Sequence, residues 1–85
     1  SIIKQYKRLF ELDNTEIEFT EGALNKVADL AIERSTGARG LRAIMEEIML
    51  DIMYDVPSRD DIEKVIVDEN LVEHKEPPRL ILRAS

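Results

Sequence analysis

The sequence predicts an α+β fold, with helices in front and a small sheet of about three short strands packed on them. Three observations carry this expectation. Apolar residues Leu41, Ile44, Met45, Ile48, Met49, Ile52, Met53 and Val56 recur at the three- and four-residue spacing of one helix face for about four turns. Near the C-terminus, KVIVD (64–68) and RLILR (79–83) are short β-branched or aliphatic runs of strand character. An 85-residue chain with 44% hydrophobic and 35% charged residues is long enough for one domain with a modest core.

Residues 1–12 fit an amphipathic helix, apolar at Ile2, Ile3, Tyr6, Leu9 and Phe10, with Lys4, Lys7 and Arg8 as its basic positions. LDNTE then reads as a turn through Asp13 and Asn14. IEF, with Ile17 and Phe19 alternating with Glu16 and Glu18, reads as a short strand. Thr20 is placed to cap a second helix that carries Glu21 in its first turn and runs to about Arg34. Leu24, Val27, Ala28 and Ala31 form its expected core stripe, widened by Leu30 and Ile32. Gly37 is suited to stop that helix in a left-handed conformation.

Ala38 then opens the third and longest helix, which Pro57 ends. Leu50 and Tyr54, near Ala43, give it a second apolar face, as expected of a helix central to its domain or in contact with a partner. Its methionines fit an ordinary core better than an adaptable groove. Ser58 is expected to cap a short helix through Asp60, Asp61 and Ile62. DENLVEH (68–74) reads as one helical turn or a connection, and Pro77 and Pro78 lead into the last strand.

Composition excludes several functions. The net charge of -6, from 12 basic and 18 acidic residues, argues against nucleic acid or an anionic membrane as partner. Cysteine is absent, so thiolate metal sites and disulfides are ruled out, and a lone His74 makes no zinc site. No apolar run approaches the roughly 18 residues that cross a bilayer. The chain lacks the spacings of a phosphate loop, a nucleophile elbow or an HExxH site. Glu46/Glu47 and Asp60/Asp61 are sequence neighbours, which diverge on a helix and so form no preformed acid–base dyad. No catalytic residue is expected.

The segment STGARGLR (35–42) remains. It places Arg39 and Arg42 at the start of a helix, where the dipole is already positive and a cation costs roughly 0.3–1 kcal/mol. The free N–H groups of a first helical turn, with a guanidinium beside them, suit a phosphate. The competing explanation is a surface ion-pair cluster, with Glu46 four residues from Arg42 and seven from Arg39. A DNA-reading helix-turn-helix is disfavoured, because residues 44–63 hold seven acids and one arginine.

The run STGARGLRAIMEEIMLDIMYDVPS resembles the sensor-2 helix of the Clp/Hsp-type AAA+ unfoldases, and its MYDVPS ending is most similar to the ClpX type. IKQYKRLFEL, IEFT and KVIVDENLV extend the resemblance over nearly the whole chain. The resemblance implies that residues 1–85 are the C-terminal small (lid) domain of a longer chain. That parent is a hexameric ATP-dependent unfoldase that feeds unfolded protein substrates to the ClpP peptidase. It further implies that Arg39, with Gly37 and Ala38 at the helix start, meets the phosphates of ATP or ADP. Ile3, with Ile2 and Tyr6, would lie near the hinge to the large domain and line the adenine pocket. Nucleotide and magnesium would be held mainly by that large domain, so the fragment alone would not be an enzyme. The small domain would pack on the large domains of its own and the neighbouring subunit, in the cytoplasm of a bacterium rather than in a mitochondrion or chloroplast. The alternative from the residues themselves is a free-standing helical protein–protein interaction module with no nucleotide role.

Overall fold

The computed structural model describes residues 2–12, 14–34, 38–56 and 60–84, with the backbone alone at 2, 3, 38 and 55. The described chain runs α1 (Ile2–Glu11), β1 (Glu16–Phe19), α2 (Glu21–Glu33), α3 (Ala38–Asp55), β2 (Ile62–Val67), α4 (Glu69–His74) and β3 (Arg79–Leu82). The predicted α+β order is therefore present, three strands included.

The strands form one mixed sheet in the order β1-β2-β3. β1 runs parallel to β2, Ile17 opposite Val65 and Phe19 opposite Val67. β3 runs antiparallel to β2, Leu80 opposite Val65, with an irregularity between Ile62 and Lys64. Partners across a ladder share a face. Ile17, Val65 and Val67 thus bury one side of the sheet against the helices. On the outer side, Lys64 places its Nζ 3.5 Å from Glu18 and 3.7 Å from Glu16.

Local chemistry explains the helix ends. Thr20 closes β1 by donating its N–H to the Val67 carbonyl (3.0 Å). Its hydroxyl accepts from the Ala23 N–H at 3.1 Å, which caps α2 as predicted. Asp68 caps α4 in the same way, accepting from the Leu71 N–H at 3.0 Å. At the end of α1, Asn14 adopts a left-handed φ of 57°, and Thr15 donates its N–H to the Phe10 carbonyl at 3.0 Å. Lys75 does the corresponding work after α4, at φ 56°.

Several expectations need correction. α2 buries Ala23, Val27 and Ala31, whereas Leu24, Ala28 and Ile32 are exposed. α2 packs on both α3 and α4, and its core line therefore starts at Ala23, the residue locked by the Thr20 cap. Small alanines on that line let the helices approach closely. Along α3, Ile44, Met45, Ile48, Met49 and Ile52 are buried, but Leu41 and Met53 lie on the flank and are exposed. No helix runs through Asp60, Asp61 and Ile62: the aspartates form a turn and Ile62 begins β2, almost fully buried. A β-branched residue joining the core favours the strand there. Asp68, read as the end of a strand, is the cap of α4. His74 is exposed as expected, but it closes α4 and is not part of a loop. The expectations for Asp13, Gly37, Pro57 and Ser58 fall outside the described residues.

Candidate functional site

The candidate site is the junction of α2 and α3. Three arginines surround it, and they have different partners. Arg34 is the C-cap residue of α2. Its guanidinium crosses to Glu47 on α3, with Nη1 and Nη2 donating to the two carboxylate oxygens at 3.5 and 3.4 Å. Arg42 donates from Nε to Glu46 at 3.1 Å, the i,i+4 pair that the spacing predicted. Both pairs are exposed, so each contributes only a few tenths of a kcal/mol. They do, however, occupy both guanidinium groups.

Arg39 differs. It is the second residue of α3 and is exposed, and it forms no ion pair with any described residue. The first turn of α3 holds no acidic side chain. The positive end of the α3 dipole and the Arg39 guanidinium are therefore not neutralised by a carboxylate of the same turn. Seven residues along the helix bring the chain back to nearly the same angle. Arg39 thus shares the solvent side of α3 with Ala43, Glu46 and Leu50, opposite the buried line that runs from Gly40 through Ile44, Ile48 and Ile52.

Of the other residues singled out by sequence, Ala38 opens α3, while Gly37 and the side chains of Ala38 and Ile3 lie outside what is described. Tyr6 packs half-buried against the core. Met45 and Met49 are core residues, and Met53 is exposed. Among the described residues, no group of three or more His, Cys, Asp or Glu side chains converges as a metal site. Two hollows lie away from Arg39. One, of about 600 Å³, is an open cleft beside Asn14, Asp60 and Arg83. The other is a groove of about 270 Å³ between α2, α3 and the segment after α4, rimmed by Arg34 and Glu47.

Sequence reasoning missed the Arg34–Glu47 bridge. No local spacing links positions 34 and 47, and only the packing of α3 on α2 brings them together. It also missed Arg83, because its acceptors are the backbone carbonyls of Asn14 and Asp60.

A helical layer on a small three-stranded mixed sheet is the architecture of an AAA+ small domain. Residues 1–72 match the family model described as the C-terminal, D2-small domain of ClpB protein. The chain belongs to that family, and through it to the Clp group of AAA+ proteins. α1 to the middle of α4 lie within the match, and β3 lies beyond it.

Proposed function

We propose that the chain is the nucleotide-sensing and ring-assembly small domain of a ClpX-type ATP-dependent unfoldase, with Arg39 contacting ATP phosphates. The observation that carries this reading is the contrast among the three arginines. Arg34 and Arg42 are held by Glu47 and Glu46, and Arg39 alone among them has no carboxylate partner within the described residues. A guanidinium keeps its charge at all physiological pH values and matches phosphate oxygens with two parallel N–H···O bonds. The N–H groups of the first turn of α3 add a second, fixed source of positive potential. The ClpX type, and ClpP as the peptidase served, rest on GARGLR and the MYDVPS ending.

In this reading ATP and magnesium sit mainly on a large domain, and Arg39 reports the terminal phosphates to α3. The buried face of α3 makes it rigid with the sheet, so a pull on Arg39 moves the whole small domain. The exposed Leu50 and Tyr54 then serve contacts to large domains in a hexameric ring. The proposed compartment is the bacterial cytoplasm.

In the full-length ATPase, Arg39→Ala is expected to abolish ATP-dependent unfolding of a tagged substrate, with ring assembly by sedimentation intact. Undiminished unfolding and ATP turnover would overturn the sensor role. Degradation of that substrate on addition of ClpP supports the ClpX type, and unfolding without degradation points to another Clp chaperone.

A further inference from the structure

The segment beyond the family match returns to the beginning of the chain. β3 is an edge strand whose four side chains are all exposed, so it is held mainly by its ladder to β2. Immediately after it, Arg83 makes three hydrogen bonds to other parts of the molecule. Its N–H donates to the Asp61 carbonyl at 2.7 Å, and its Nε donates to the Asp60 carbonyl at 2.9 Å. Its Nη2 donates to the carbonyl of Asn14. Asn14 is the left-handed residue that turns the chain out of α1. One planar guanidinium therefore joins the turn after α1 to the turn before β2, and its fixed fork sets the spacing of the two carbonyls. The buried Thr15 hydroxyl adds a tie to the same region, donating to the Ile62 carbonyl at 3.1 Å. Among its described side chains, half-buried Tyr6 and Phe10 pack α1 against the core.

We infer that β3 and Arg83 form a strap that sets the angle of α1 against the sheet. The strap buries little and is fastened mainly by hydrogen bonds, so it can release without opening the core. Its release frees the α1 corner while α2, α3 and α4 stay packed. The inference does not rest on the nucleotide reading, because the Arg83 bonds go to Asn14, Asp60 and Asp61 and not to residues of the α2–α3 junction.

Residue-resolved amide hydrogen exchange on the chain tests it. Arg83→Ala is expected to speed exchange of the Thr15 amide and of the last turn of α1 by about tenfold, the worth of a hydrogen bond to a charged group. Amides of α2 and α4 should stay within about twofold of their original rates. Arg83→Lys keeps the charge without the fork and should give an intermediate acceleration at the same amides. If Arg83→Ala does not fold, the lysine variant carries the same contrast of local against global change. Unchanged exchange at Thr15, or equal acceleration in every element, overturns the strap.

Discussion

The two sides of α3 are both rich in apolar residues, yet they have opposite fates. On the inner side Met49 and Ile52 are 0% and 1% exposed, and on the outer side Leu50 and Tyr54 are 66% and 91% exposed. Side-chain type does not distinguish them: a leucine faces water while a methionine fills the core. The inner side is defined by what stands opposite, namely α2 and α1, and by the core it shares with the buried side of the sheet. The outer side has no described element over it and carries Arg39, which has no ion-pair partner among the described residues. The helix thus separates a side that holds the domain together from a side that is available to something else.

The sharpest test of this contrast is truncation on each side. Met49→Ala or Ile52→Ala should cost about 2–5 kcal/mol, since each leaves a cavity in close-packed surroundings. Leu50→Ala should stay within about 0.5 kcal/mol in the isolated chain. Urea unfolding of the variants measures both, and equal costs would break the distinction between the sides. A smaller effect is expected at the cap that aims α2 at the inner side. Thr20→Ala removes the acceptor of the Ala23 N–H and should cost about 1 kcal/mol in the same assay.

Lys75→Gly should act in the other direction. Lys75 holds a left-handed φ of 56° behind α4, where a Cβ is unfavourable, and glycine should raise stability by about 0.5–1 kcal/mol. A lower melting temperature in that variant would mean that the lysine side chain contributes more than its backbone strain costs. The smallest effect belongs to the outer side. Arg42→Ala should cost only about 0.3–0.5 kcal/mol, and 1 M salt should abolish the difference from the parent chain. A cost well above this would show that the Arg42–Glu46 pair is part of the scaffold and not a surface decoration.

Much of the fold was legible in the residues. Thr20 and Asn14 announced a helix start and a turn because their chemistry is local. The i,i+4 spacing of Arg42 and Glu46 predicted their ion pair for the same reason. The reading failed where the answer depended on distant neighbours. Spacing places Leu24 with Val27, Ala28 and Ala31 on one stripe of α2, but α2 packs on both α3 and α4, and that turns Ala23 into the core and leaves Leu24 and Ala28 outside. Ile62 was assigned to a helix because nothing nearby reveals that it joins β2. At the candidate site, Arg39 was visible as a cation in an unfavourable place. Its distinction from Arg34 was not visible, because Glu47 reaches Arg34 only across two packed helices.

By itself, the sequence determined the α+β class, the order of the three longer helices and the three strands, the Thr20 cap, and the presence of a cation at the head of α3. These follow from period, propensity and hydrogen bonds within a few residues. Tertiary structure alone decided which apolar side of α3 is buried, that Arg34 meets Glu47 across the junction, and how Arg83 ties the last strand to the first turn. Each of these depends on groups far apart in the chain, whose meeting is set by the packing of helices on the sheet and not by any local preference.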